Sequence, residues 1–172
     1  SDLIGRELGP YQIIEQIGAG GMATVYKAQD KRDGSTVALK VLDIRNGGDL
    51  QAGRERLRRE AAFYRAANHP HVVRLYDSVD HAKYPFLVMD YIDGQNLRQV
   101  LEQQGPLPLD EAMHIIYSIA GALCLAHQER IYHRDIKPDN IMLDLSGKAY
   151  LMDFGIALLP DLARLSAERF VG

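Results

Sequence analysis

The sequence has little of several features that mark whole classes of protein. Its 172 residues contain a single cysteine, Cys124, which excludes an internal disulfide and fits a reducing compartment. No uninterrupted apolar run approaches the ~20 residues of a membrane-spanning helix, and no secretory signal peptide is present. The formal net charge of −3 gives no indication of nucleic-acid binding. We therefore expect a cytoplasmic globular chain without a membrane segment, although a longer parent protein could be membrane-anchored.

The apolar residues that are present follow two different periods along the chain. Before residue 93, runs rich in β-formers predict strands over residues 11–17, 24–28, 36–42, 72–79 and 86–91, with one helix over 50–67. After a linker at Asp93 and Gly94 the period is helical over 96–104 and 108–127, and short strand-like runs follow at 141–143 and 149–152. We predict an α+β chain with two parts, residues 1–92 and 93–172. We also predict that Cys124, which lies on the longer helix, is buried in the hydrophobic core.

A run of small residues, Gly18-Ala19-Gly20-Gly21, lies between the first two predicted strands. An ordinary hairpin turn would explain the glycines, and a dinucleotide-binding loop would lead into a helix instead of a strand. Because both flanks are strands, the run also fits a lid whose backbone N–H groups cover phosphates.

Lys40 and Glu60 are charged residues at positions where a buried side chain is expected. Lys40 ends an apolar strand and alternates with Ala38, so the two side chains point to the same face. A strand-end lysine that reaches solvent would explain Lys40 by itself. Glu60, however, lies on the apolar face of the predicted helix, where an unpaired carboxylate is costly. Its partner is either Arg56, one helical turn back, or Lys40.

The densest cluster of polar and turn-forming residues is the run HRDIKPDN at residues 133–140. Asp135 can accept a proton from a hydroxyl nucleophile, and Lys137 can neutralise charge on a transferred phosphoryl group. Asn140 offers an amide oxygen to Mg²⁺, and Asp153, which begins the later run DFG, is a hard oxygen ligand suited to the same ion. A structural loop does not need this density of charge, so the run is the strongest candidate for a catalytic site.

In order and spacing these motifs resemble the signature set of the protein kinases: the glycine loop, VALK at 37–40, the helix glutamate, HRDIKPDN and DFG. The form HRDIKP resembles the Ser/Thr kinases, and GAGGMATVYKA at 18–28 resembles the eukaryotic-like bacterial kinases of the PknB-like group. The resemblance implies a bilobal fold, with a five-stranded antiparallel N-lobe that carries one helix. It also implies a mainly helical C-lobe that is incomplete, because the chain stops in the activation segment.

The resemblance further implies roles for individual residues. The residues implied to be catalytic are Asp135, Lys137, Lys40 and Glu60. Those implied to contact ATP are Ile17, Gly18, Ala19, Gly20, Gly21, Val25, Ala38, Lys40, Met89, Asp90, Ile92 and Met142. Mg²⁺ would be held by Asn140 and Asp153. The implied partners are ATP and protein substrates with Ser or Thr, with no nucleic acid, and a kinase–kinase dimer is possible.

Two other functions compete with this one. The chain could be a non-catalytic nucleotide-binding fragment or a pseudokinase-like scaffold, because the C-lobe is truncated. It could also be a small-molecule kinase of the aminoglycoside-phosphotransferase type, but such enzymes lack the Lys137 position and DFG. The truncation predicts that not all apolar residues of the second part are covered, and the six concerned are Ile115, Ile116, Ile119, Leu123, Ile136 and Ile141.

Overall fold

The structure, a computed structural model, describes residues 3–20, 23–42 and 50–153. The chain divides into two compact units, of which the first comprises Ser1–Asn68 and Val73–Gly94. The second comprises His69–Val72 and Gln95–Gly172. The short segment His69–Val72 therefore belongs to the second unit although the first unit flanks it in sequence, and the hydrophobic period does not reveal this.

The first unit contains an antiparallel sheet of six strands in the order β1-β2-β3-β4-β6-β5. The strands are β1 (Glu7–Leu8), β2 (Tyr11–Ala19), β3 (Ala23–Asp30), β4 (Thr36–Leu42), β5 (Leu75–Val79) and β6 (Phe86–Asp90). The predicted antiparallel sheet with one helix is confirmed, but the predicted count of five strands is one too few. The additional strand β1 has only two residues, too few to show an alternating pattern.

One face of this sheet builds the hydrophobic core of the first unit. Because side chains alternate along each strand, Tyr26 and Ala28 of β3 lie on the same face as Leu39 of β4 and Val88 of β6. These residues are buried in one cluster, together with Leu3, Leu8, Tyr11, Ile13, Val37, Val41 and Phe86. The residues between them in sequence therefore point to the opposite face.

The helix α1 (Leu50–Ala66) packs against strands β4, β5 and β6. Its buried residues recur at helical spacing and are Gly53, Leu57, Glu60, Ala61, Phe63 and Tyr64. Arg54 of α1 is half-buried. Its guanidinium forms an ion pair with Asp80 and donates to the carbonyl of Ala82 at 2.7 Å, so this arginine anchors the loop before β6.

The second unit contains β7 (Gly94–Asn96), α2 (Leu97–Gln104), α3 (Leu109–Gln128), β8 (Ile141–Asp144) and β9 (Ala149–Leu151). The three strands form one sheet in the order β7-β8-β9. Asn96 caps α2, because its side chain accepts from the backbone N–H of Gln99 while the Gln99 side chain accepts from that of Asn96. The predicted helices and the two later strands are confirmed, with ends displaced by one or two residues.

The longest helix, α3, has a buried and an exposed side. Ile115, Ile119 and Ala122 are buried, whereas Cys124 is exposed. The prediction that Cys124 fills the core is wrong, because a residue two positions after buried Ala122 lies on the opposite side of the helix. The helix is also long and apolar enough to cross a membrane by length and composition alone, a test that core helices of soluble proteins pass as well.

The apolar residues expected to be incompletely covered divide into two groups within the described part of the second unit. Ile115, Ile119 and Ile141 are buried. Ile116 and Ile136 are exposed, and Leu123 is half-buried. The described segments thus bury one side of α3 and leave apolar side chains exposed on the other.

Candidate functional site

A buried ion pair joins strand β4 to helix α1 in the first unit. The Lys40 Nζ lies 2.7 Å from Oε1 and 2.9 Å from Oε2 of Glu60. The two residues are 8% and 4% exposed. Of the two partners that the sequence left open for Glu60, the structure therefore shows Lys40, and this contact satisfies two charges that would be costly to bury singly.

Four residues implied to contact ATP share one face of the six-stranded sheet. The register places Val25 opposite Lys40 and Ala38 opposite Met89. Because side chains alternate, these four lie on the face opposite the hydrophobic core cluster. The structure thus groups Val25, Ala38, Lys40 and Met89 on one surface, although their contact with a nucleotide stays a prediction.

Strands β2 and β3, which flank the glycine run, pair antiparallel as expected. Gly18 pairs with Val25, and the backbone N–H of Gly20 donates to the carbonyl of Ala23 at 2.8 Å. Ile17 lies at a register shift and is exposed, as is Ala19. Gly21 lies outside the described residues. A strand on each side distinguishes this hairpin from a dinucleotide-binding loop, which leads into a helix.

The segment that follows β6 is anchored through Asp90. The Asp90 carboxylate accepts a hydrogen bond from the backbone N–H of Arg74 at 2.8 Å and another from the Tyr76 hydroxyl. The bond to Asp90 is the main reason why the pKa of Tyr76 is raised. Because the carboxylate is engaged in this way, the role predicted for Asp90 in ATP binding would fall to its backbone. Ile92, two residues further, is half-buried.

Lys27 is a residue that the sequence analysis did not single out. It lies opposite Ala38 in the register, so it shares the face of the residues implied to contact ATP. Its Nζ is 4.7 Å from the centroid of the Tyr91 ring, and hydrogen bonding to Tyr91 is the main cause of its raised pKa. The period of two along β3 would have placed Lys27 on this face, but not its contact with Tyr91.

In the second unit the run HRDIKPDN gathers three of its polar side chains. The Lys137 Nζ lies 2.7 Å from Oδ2 of Asp135. The Asn140 side-chain amide donates to the Asp135 carbonyl at 2.8 Å and to Oδ2 at 3.1 Å. These contacts lower the pKa of Asp135, with Lys137 the larger cause, so the carboxylate is ionised at neutral pH.

The buried side chain of His133 supports this loop through two hydrogen bonds to the backbone. The backbone N–H of Asp135 donates to His133 Nδ1 at 3.3 Å, so Nδ1 is the acceptor nitrogen of the ring and Nε2 is its donor. The Nε2 then donates to the carbonyl of Met152 at 2.6 Å, directly before Asp153. Arg134 and Asp153 both have φ near +62°, a region that non-glycine residues rarely occupy and that is concentrated at functional sites.

The two residues implied to hold Mg²⁺ offer oxygen atoms of the kind that this ion prefers. Since the amide nitrogen of Asn140 is turned to Asp135, its Oδ1 is left to accept, and no other described residue donates to it. The Asp153 carboxylate is close enough to contribute to the raised pKa of Lys137. In the described ranges no three His, Cys, Asp or Glu side chains are placed so that they could hold a metal ion together. A site built from one amide and one carboxylate would therefore depend on the nucleotide for further oxygens. Met142, implied to contact the base, is half-buried in β8.

A second ion pair at this loop was not foreseen from the sequence. The Nε of Arg98 in α2 lies 2.9 Å from each carboxylate oxygen of Asp139. Asp139 is in the 3-10 turn Pro138–Asn140, between Lys137 and Asn140 in sequence. The partners are 41 positions apart, and no local pattern links them.

Comparison with known proteins identifies similar sequences. The model of the protein kinase domain family matches residues 11–168. The chain is 42% identical over 156 residues to the serine/threonine-protein kinase PrkC of Bacillus subtilis, covering 90% of this chain and 24% of that protein. It is 42% identical over 154 residues to the serine/threonine-protein kinase PknD of Mycobacterium tuberculosis, covering 90% and 23%. A probable serine/threonine-protein kinase, pknA2 of Bifidobacterium longum, is 39% identical over 161 residues, covering 92% and 21%. The chain thus spans less than a quarter of the length of these relatives.

Proposed function

Because this chain belongs to the protein kinase domain family, we propose that it acts as a protein serine/threonine kinase. It would transfer the γ-phosphoryl group of ATP to Ser or Thr hydroxyls of proteins. The observation that carries the proposal is the Asp135 carboxylate, held ionised within 2.7 Å of Lys137 and 3.1 Å of Asn140. The relatives support it, since they are named serine/threonine-protein kinases.

In the proposed reaction a substrate hydroxyl oxygen forms a bond to the γ-phosphorus, and the bond between that phosphorus and the bridging oxygen of ADP breaks. Asp135 accepts a hydrogen bond from the hydroxyl, orients it and receives its proton. Lys137 balances the negative charge of the phosphoryl group during transfer. Each of these roles is served by a contact already made, which lowers the cost of ordering the groups at the moment of reaction.

The first unit would hold the nucleotide. Lys40, oriented by Glu60, provides a cation for the phosphates, and the face that carries Val25, Ala38 and Met89 provides apolar contact for the base. Asn140 and Asp153 would bind a divalent cation, which we propose is Mg²⁺ because both side chains offer hard oxygen atoms. A bound Mg²⁺ supplies positive charge to the phosphate oxygens.

Two further features stay proposals. A cytoplasmic location is supported by the single cysteine of the chain, which is a free thiol. A kinase–kinase dimer is implied by the resemblance alone.

The experiment that tests the function is transfer of labelled phosphate from γ-³²P-ATP to a basic protein substrate. It should be done with the complete protein that contains these residues, because the chain covers only part of the length of its relatives. Asp135→Asn should lower turnover by at least the ~10²-fold that loss of a general base costs, with ATP affinity preserved. Asp110→Asn, at the exposed start of α3, is the matched control. Transfer to small-molecule hydroxyls but not to protein, or full turnover by Asp135→Asn, would reject the proposal.

A further inference from the structure

The ion pair between Arg98 and Asp139 has a geometry that folding stability does not explain. Its two side chains are 51% and 38% exposed, and ion pairs at this exposure contribute little to folding stability. Arg98 lies in the first turn of α2, directly after Leu97, where the unpaired N–H groups carry partial positive charge. A cation in that turn opposes the helix dipole, so Arg98 is unfavourable for its own helix. A contact outside α2 must therefore account for an arginine at this position.

The charges around Lys137 account for the position of Arg98. Its Nζ contacts Asp135 at 2.7 Å, and its side chain is 46% exposed, so it is free to swing on its flexible stem. Three carboxylates act on this one cation: Asp135 most strongly, then Asp139 and Asp153. A single lysine among three anions would be shared between them, because each attracts it with an energy that falls only as the inverse of distance.

We propose that Arg98 is a positioning residue that neutralises Asp139 and thereby keeps Lys137 with Asp135. The Arg98 Nε lies 2.9 Å from both oxygens of Asp139, so the shared N–H is directed at the middle of the carboxylate. Helix α2 packs on the turn that contains Asp139, and its capping box fixes the first turn from which Arg98 extends. The inference rests on the proposed function, since it concerns the lysine assigned to the transferred phosphoryl group.

Two roles for the pair predict different results in a four-protein comparison of wild type, Arg98→Ala, Asp139→Asn and the double variant. If Arg98 neutralises Asp139, Arg98→Ala lowers kcat about tenfold, less than the ~10²-fold for a lost donor because Lys137 remains, and leaves KM for ATP nearly unchanged. Asp139→Asn removes the competing charge, so this variant and the double variant should retain kcat within about twofold of wild type. Arg98→Lys, which keeps the cation, should retain most of the turnover.

If the pair is instead a mechanical tether between α2 and the loop, both variants that lack Asp139 lose as much turnover as Arg98→Ala, and the inference is wrong. Arg59→Ala is the matched control, because Arg59 pairs with Glu55 at 3.3 Å on α1 at similar exposure. An inactive wild-type protein would reject the proposed function, whereas an active wild type with an equally active Arg98→Ala would reject only the role of Arg98. A crystal structure of Arg98→Ala should also show Lys137 displaced from Asp135 toward Asp139.

Discussion

The Lys40 ammonium bridges both carboxylate oxygens of Glu60, at 2.7 and 2.9 Å, across a separation of 20 residues. Both residues are less than a tenth exposed. Taking two charges out of water costs several kcal/mol for each ion, and their mutual attraction does little more than offset that cost. The pair therefore contributes little net stability, and its presence is better explained by a need for a fixed cation on this face of the sheet.

Replacing Lys40 by methionine should separate stability from turnover. Lys40→Met leaves Glu60 buried without its cation, so the free energy of unfolding should fall by about 3–5 kcal/mol. Turnover should fall by at least ~10²-fold through loss of an electrostatic contact to phosphate. Glu60→Gln should cost less turnover, because Lys40 could still reach the phosphate. Urea denaturation and the phosphate-transfer assay measure the two effects.

The double variant Lys40→Met/Glu60→Met is the control for this prediction. It removes both charges at similar side-chain volume, so most of the lost stability should return. Turnover should stay low, because the cation is still missing. Recovery of turnover in the stable double variant would show that Lys40 serves folding alone, and wild-type turnover in both single variants would remove the pair from the mechanism.

Asp153→Asn should weaken binding of Mg·ATP much more than binding of metal-free ATP. The substitution replaces a charged oxygen ligand by a neutral one of the same shape, which affects a divalent cation more than the rest of the nucleotide. Isothermal titration calorimetry with and without MgCl₂ measures both affinities, and Asp110→Asn should change neither. An equal loss of affinity in the two titrations would contradict the role of Asp153.

Asp30 should make the stability of the first unit depend on pH. Hydrogen bonds from Arg32 hold the pKa of Asp30 below its ordinary 3.8. Because the folded-state pKa is the lower one, ionised Asp30 stabilises the fold above pH 3.8, and this gain is lost as the pH falls through the folded-state pKa. Asp30→Asn should therefore lower the free energy of unfolding at neutral pH, and the difference from wild type should shrink as the pH falls through the folded-state pKa of Asp30. Urea denaturation of both proteins over a range of pH measures this difference, and a difference that does not change with pH would contradict the role of the Asp30 carboxylate.

The parts of the site that the sequence could predict are those where burial and polarity conflict. Glu60 falls on an apolar helix face together with Leu57 and Ala61, and this alone requires a cation nearby. Lys40 alternates with Ala38, so the period of two places both on one face before any tertiary contact is known. Local periodicity and the cost of burying charge thus predict the sheet face and the need of Glu60 for a cation, whereas the choice between Arg56 and Lys40 needed the structure.

The parts that could not be predicted depend on contacts between distant exposed or short segments. Arg98 and Asp139 are both polar and partly exposed, so neither violates a burial pattern that would signal a partner. Strand β1 is too short to alternate, and Cys124 lies in a helix apolar on more than one side, whose buried face is set by tertiary packing. The segment His69–Val72 joins the second unit through Val72, which bridges to Leu151.

Gly121 of α3 should be required for the close approach of His69. A Cβ at Gly121 would lie 3.0 Å from Nε2 of the His69 ring and 3.3 Å from Cε1. The ring is held in place, because its Nδ1 accepts a hydrogen bond from the backbone N–H of His71 at 3.2 Å. His71 is itself fixed by the contact of its Nδ1 with the Ala149 carbonyl at 2.7 Å.

Gly121→Ala therefore sets two effects of known size against each other. Helix propensity favours alanine by ~0.5–1 kcal/mol, whereas a methyl group forced into a packed site costs ~1–3 kcal/mol. We expect the second effect to prevail, so that the free energy of unfolding falls by about 1 kcal/mol despite the better helix former. Ala120→Gly, at an exposed neighbouring position, measures the propensity effect in the same helix and should lower the free energy of unfolding by about 1 kcal/mol. If Gly121→Ala instead stabilises the protein by as much as Ala120→Gly destabilises it, His69 can move, and the contact between them does not fix the segment His69–Val72 against α3.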